Sequence, residues 1–241
     1  IGLMVEEPPA LVSGKQSSSE PVAVVAVSAV AQSPATEEAA KTEDFSIGRI
    51  IGFYMKGSSC AAAINVTGVG VLVHFGPLIL GRAGLDPLLG YFVISLAKLS
   101  GGMLGFVFNW LTTPLKNFTA GLGMCSFCCF IIFLGTFPGI VGEGMPTMAV
   151  TFLGMLLFPL TFNSTVGPQS WTLMAAVFPP QYRESGCTMS VAASALVAVP
   201  LNFIFPSAVE AISGGPAQNQ LYGYGAMFLI LSVVGAINCV L

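Results

Sequence analysis

Downstream of Cys60 the chain alternates long apolar runs with short polar breaks. The breaks hold the charge: Arg82, Asp86, Lys116, Glu143, Arg183, Glu184 and Glu210 fall between runs, and of the eight charged side chains in this stretch only Lys98 lies inside one. A hydrocarbon layer about 30 Å thick tolerates neither free charge nor unpaired backbone groups, so an apolar segment of about 20 residues crosses it as a helix that closes its own hydrogen bonds. The pattern predicts six spans, at 59–80, 88–111, 118–137, 147–178, 187–208 and 221–241. The fold class is therefore all-α, a polytopic integral membrane bundle of six transmembrane helices over residues 59–241. The fourth span is too long for one straight crossing and contains Pro159 and the pair Gly167-Pro168, which predicts a kinked or locally unwound helix.

Two segments precede the bundle. Residues 1–47 are rich in Ala, Val, Ser, Pro and Glu, and their longest apolar run, 22–31, is too short to span, so this stretch reads as a flexible cytoplasmic linker. Residues 48–58 mix apolar side chains with Arg49 and Lys56, the composition of a short helix lying at the membrane surface. Lys and Arg near membrane ends favour the cytoplasmic side. With the head of the chain inside, Arg49, Lys56, Lys116 and Arg183 are cytoplasmic and only Arg82 is outside, and both ends of the chain face the cytoplasm.

Composition agrees with this picture. Hydrophobic residues make up 54% of the 241 and charged residues 8%, against about a quarter charged in soluble domains. The formal net charge of −3 comes mainly from the acidic head, and no basic face exists for nucleic acid. Cys60, Cys125, Cys128, Cys129, Cys187 and Cys239 lie in or beside apolar runs, as small hydrophobes rather than a disulfide framework. A chain that opens on Ile1 and closes inside an apolar run at Leu241 reads as a piece of a longer one.

Chemistry in lipid concentrates in few residues. Lys98 stands mid-span, where a cation is costly unless it faces a cavity, a partner or water; it is either a substrate or coupling cation or a lysine reaching for the interface. His74 is the single histidine, able to bond a solute or move a proton, or to sit satisfied in the interior. Cys125, Cys128 and Cys129 share a helix face but find no second ligand group at metal spacing, so they read as packing and no metal is expected. Gly101 and Gly105 form a small face for close helix contact. The HExxH, nucleophile-elbow and phosphate-loop patterns are missing, which points away from an enzyme, and no cofactor is called for.

Motifs in the fourth and fifth spans resemble those of a known family. Gly167-Pro168-Gln169-Ser170-Trp171 is followed by Phe178-Pro179-Pro180-Gln181-Tyr182-Arg183-Glu184-Ser185-Gly186, and Phe205-Pro206 comes nineteen residues after that glycine. The set is similar to the GPxxW, FPxxxRxxG and later FP landmarks of the tenth and eleventh helices in sugar porters of the major facilitator superfamily. Residues 64–77 resemble more weakly the seventh-helix pattern QQxxGxNxxxYY, with the glutamine positions on Ile64 and Asn65, the asparagine on Gly70 and the tyrosine pair on His74 and Phe75. Lys98 is similar to a lysine early in the eighth helix of some polyol and monosaccharide carriers.

The chain also departs from that pattern. Where the family reads DRxGRRP after its eighth helix, this chain has Asn109-Trp110-Leu111-Thr112-Thr113-Pro114-Leu115, and the glutamate expected five residues after the tryptophan is Ala176. Both sides of the family's cytoplasmic charge network are absent together. An eleventh-helix Asn-Trp pair falls on Ser194-Ala195, while Trp171 remains, to stack on a sugar or to pack between helices.

The resemblance implies the C-terminal six-helix half of a twelve-helix carrier, whose N-terminal half would hold any acidic proton-coupling residue. It implies a secondary active transporter for a small polar solute, a sugar or polyol, moved by alternating access with proton coupling, its site lined by Asn65, His74, Lys98, Gln169 and Trp171. The alternatives are a phosphate or organic-ion carrier of the same superfamily, which Lys98 would suit, or a transport-inactive membrane sensor or structural protein. The expected partners are the lipid bilayer, the solute and the N-terminal half; the membrane of residence is open.

Overall fold

The computed structural model describes residues 46–137, 140, 145–215 and 220–240. The stretch read as a linker lies outside the described residues up to position 45, as does Glu143. Among the described residues there is no strand. The described residues form eight α-helices: α1 (Ile47–Val66), α2 (Val69–Arg82), α3 (Pro87–Leu111), α4 (Pro114–Thr136), α5 (Met145–Ser164), α6 (Val166–Val177), α7 (Arg183–Ser213) and α8 (Leu221–Val240). They compose six membrane-length apolar spans, with α1 and α2 in the first and α5 and α6 in the fourth.

Local chemistry sets the ends. Pro87 and Pro114 occupy first helical turns, where a missing N–H costs nothing, and the Asp86 carboxylate accepts from Leu88 N at 2.9 Å to cap α3. Gly214, at φ +80°, closes α7 in the left-handed conformation.

The bundle is built around α4, which packs on α5, α6 and α8. Its Cys125, Cys128, Cys129 and Ile132 are buried against the core that includes Met155 and Phe158 of α5 and Phe228 of α8. The three cysteines are thus packing residues, and no group of His, Cys, Asp or Glu able to hold a metal occurs among the described residues. Small residues allow the close crossings. A Cβ on Gly135 would lie 2.5 Å from Thr151 N, and one on Gly101 would lie 2.5 Å from the Leu160 carbonyl oxygen. Ala97, Gly101 and Gly105 are all buried, so the small face expected on the second span is where α3 meets α5.

The first span differs from expectation. Residues 48–58, expected as a separate surface helix, are the first half of α1, which runs without a break into the span. Nothing between Met55 and Cys60 stops a helix, and tertiary packing extends it: Gly57 is buried under the ring of Phe178, Tyr54 meets the same ring edge-on at 5.5 Å, and the Tyr54 and Ser185 hydroxyls lie 2.8 Å apart. Gly186 lies against the same ring. The Phe-Pro-x-x-x-Arg-x-x-Gly motif therefore has a packing reason. Pro179 ends one helix, the chain turns through Pro180–Tyr182, and Phe178 lodges in a slot whose walls are Gly57 and Gly186.

At the other end of the bundle Arg82 donates to the Gln220 Oε1 and lies 5.8 Å from the centre of the Tyr224 ring. Phe75 of α2 stacks on Phe205 of α7 at 5.2 Å, and Phe205 continues to Tyr224 and Phe228 of α8. These contacts fasten α2 to its neighbours.

Candidate functional site

Two spans are interrupted in mid-course. Between α5 and α6, Pro168 has no N–H to offer the Ser164 carbonyl and its ring would collide with that oxygen, so the first helix stops at Ser164 and Thr165 takes φ −127°, ψ −75°. This is the break expected in the fourth span. The Thr165 and Ser164 hydroxyls both donate to the Thr161 carbonyl, at 2.6 and 3.0 Å.

Between α1 and α2 the break was not anticipated. Gly68 sits at φ +85°, a conformation that any side chain strains, and a Cβ there would stand 2.8 Å from Leu231 Cδ1. The carbonyls released by the turn find new donors. Thr67 Oγ1 donates to Ile64 O at 2.6 Å, Gly68 N to Asn65 O at 3.0 Å, and the Cys129 thiol to Thr67 O at 3.6 Å. Gly68→Ala is expected to destabilise the protein by about 1–2 kcal/mol, the cost of a left-handed non-glycine residue, which a thermal-unfolding comparison in detergent reads as a lowered midpoint. In lipid, non-helical backbone persists only where protein or a cavity surrounds it, so paired breaks mark the candidate pathway.

Alongside the first break runs a polar strip. Asn65 Nδ2 donates to the Ser194 carbonyl at 3.0 Å and to its hydroxyl at 2.5 Å, tying α1 to α7. Further along, the Asn202 amide lies over Gly70, with Nδ2 3.2 Å and Oδ1 3.4 Å from where a Cβ would stand. The five residues expected in the site are dispersed around this strip. Asn65 is half-buried within it, and His74 is exposed on α2, beyond the break. Lys98 is half-buried at the middle of α3. Gln169 is 2% exposed and Trp171 is 55% exposed; two residues apart on α6, they point to opposite sides of the helix. None of the hydrogen bonds among the described residues joins two of the five.

Gln169 is enclosed between helices, since α6 packs on α1 and α4, whereas Trp171 presents its ring to the outside of this bundle. The Gly68 joint and Asn202's place above Gly70 were missed. The Thr67-Gly68-Val69-Gly70 stretch carried the signal, because closely spaced glycines inside a span are where a helix can open. An apolar hollow of about 310 Å³ lined by Phe106, Val107, Trp110 and Leu111 lies at the far end of α3 and is lined by no group suited to a polar solute.

Six apolar spans, two of them broken and one of these beside an uncharged polar strip, define a helical membrane protein. Residues 21–241 match the model of the family described as Sugar (and other) transporter, and the chain belongs to that family. It is 26% identical over 207 residues to the Membrane transporter D2 of Leishmania donovani, covering 83% of this chain and 36% of that protein. It is 28% identical over 206 residues to the Glucose transporter 1B/1C/1D/1F/2B of Trypanosoma brucei brucei, covering 82% of this chain and 38% of that protein, and 27% identical over an equal length to the Glucose transporter 1E of the same organism. The chain thus spans less than two fifths of the length of these relatives. No solved structure matches the chain significantly.

Proposed function

We propose that this chain is the C-terminal half of a secondary active carrier for a hexose or a related polyol, working by alternating access. The observation that carries the reading is the break at Gly68 with a strip of amides and hydroxyls, Asn65, Ser194 and Asn202, beside it, in a member of a sugar-transporter family. Amides and hydroxyls suit a neutral polyhydroxylated solute, since each sugar hydroxyl both donates and accepts. Relatives named as glucose transporters favour a hexose. In this reading Trp171 offers its ring face to a sugar, His74 and Lys98 serve as further polar groups for the solute, and Gln169 supports the site from the interior.

The other half is expected to cover the faces that this bundle leaves open. On α7 only Gly186, Ser190, Phe205 and Val209 are buried, while Leu196, Val199, Phe203 and Ile204 are exposed; α3 likewise exposes Phe92, Leu99, Met103 and Phe106. Helices contributed by the rest of the protein would lie against α3 and α7, and lipid against the remainder.

The test is uptake by the full-length protein in proteoliposomes. The reading expects saturable entry of labelled D-glucose, blocked by excess unlabelled sugar and accelerated by an inward proton gradient. Uptake indifferent to the gradient removes the proton coupling alone. Phosphate entry in place of glucose supports the anion-carrier alternative that Lys98 suits, and solute binding without any uptake supports a sensor. In the same assay Trp171→Ala is expected to raise KM about threefold to tenfold, the worth of one aromatic contact, with kcat little altered; an unchanged KM assigns the ring to packing.

A further inference from the structure

Asn202 carries a polar group that the fold does not use. Its Nδ2 donates to the Ala198 carbonyl one turn back at 2.9 Å, which fixes the orientation of the amide, while Oδ1 is enclosed and has no partner. An acceptor left unmade away from water is a standing cost, and such groups persist where a ligand or a second conformation supplies the missing donor. The surroundings point to a ligand. The wall over the amide is Gly70, which has no side chain, and Gly70 stands two residues past the Gly68 joint, so a small rotation of α2 about that joint uncovers the oxygen. Two turns along α7 toward Arg183, about 12 Å away, Ser194 holds Asn65, so the two amides flank the same break from one helix. One N–H of the amide is engaged by Ala198 and the other remains beside the oxygen, so the side chain offers an acceptor and a donor together, the pair that a hydroxyl matches because it both donates and accepts.

We propose that Asn202 is a solute-binding residue whose Oδ1 accepts a hydrogen bond from one hydroxyl of the transported sugar and sets the carrier's preference among hexoses at that hydroxyl. This rests on the sugar-carrier reading above. The side chain is seated by its bond to Ala198 and therefore recognises one position on the ring rather than several.

The experiment is competition of labelled D-glucose uptake by the full set of monodeoxyglucoses, in proteoliposomes of the full-length protein. Wild type is expected to bind one deoxy sugar at least about tenfold more weakly than glucose, for loss of the bond to Asn202. In Asn202→Ala that ratio falls to about one while the ratios for the other deoxy sugars stay as they were. Asn202→Ser, which keeps a hydroxyl to bond the Ala198 carbonyl but is too short to reach the solute, is expected to give the same profile and guards against a folding defect in the alanine variant. Either variant inserting, transporting glucose and retaining the wild-type profile overturns the proposal, whether or not its overall rate has dropped. Failure of both variants to fold assigns Asn202 to structure and also overturns it. Wild type that takes up no hexose refutes instead the carrier reading on which the proposal stands.

Discussion

Gly186→Ala lowers the amount of folded protein in the membrane to about a tenth of wild type or less, the result expected when a slot with two rigid walls is filled. The added Cβ would fall on three ring carbons of Phe178, and the ring cannot retreat, because Gly57 on α1 stands behind it with its own would-be Cβ 2.5 Å from Phe178 Cζ. Overpacking a site of this kind costs about 1–3 kcal/mol, and here α1, α6 and α7 all lose their common contact. Shrinking the ring relieves the clash, so Gly186→Ala with Phe178→Leu recovers part of the loss, while Phe178→Ala alone costs about 3–5 kcal/mol through the cavity it opens. Membrane yield and thermal unfolding of the four proteins measure this. Full wild-type yield for the single alanine variant would show that Phe178 is not held as described.

Lys98→Ala is expected to cut transport at least tenfold while leaving insertion intact. Lys98 is the eleventh residue after Pro87 in the 25-residue α3, about 16 Å along the helix and near its middle. No ion pair holds it among the described residues, and the acidic groups nearest the membrane, Asp86, Glu184 and Glu210, lie toward helix ends. An intramembrane cation without a partner is a burden on folding, so its removal is expected to leave the unfolding temperature unchanged or raised. A contact to a charged group is worth about 1.5–3 kcal/mol, which sets the expected loss of uptake at tenfold or more. Stability and transport moving in opposite directions is the signature of a working residue. A variant with normal uptake kinetics would take Lys98 out of the pathway.

The spans were legible because lipid imposes one rule on the whole length of a helix. The second was expected over 88–111 and is Pro87–Leu111; the third was expected over 118–137 and is Pro114–Thr136. The break in the fourth span was legible in Pro168, whose ring and missing N–H act locally. Where tertiary packing decides, reading along the chain fell short. Arg49 and Lys56 made 48–58 look like a surface segment, but the Phe178 slot, formed by residues over a hundred positions away, draws those turns into α1. Gly68 was one glycine among many until its φ showed it to be a joint.

The site was legible only as an inventory. Asn65 was singled out, yet its partner Ser194 lies 129 residues away and no periodicity links them. Gln169 and Trp171 came from one motif, but the helix sends them to opposite sides. Asn202 reads from the sequence as one more polar residue in an apolar run; its unused oxygen becomes visible only once α2 is laid beside it.

All of these assignments depend on how the helices thread the bilayer, and site-directed labelling tests that directly. Single cysteines placed at Arg82, Lys116 and Arg183 of the full-length protein are to be challenged with an impermeant maleimide from each side of sealed vesicles. The account predicts that positions 116 and 183 react from one side and position 82 from the other. Labelling of 116 and 183 from opposite sides would contradict it.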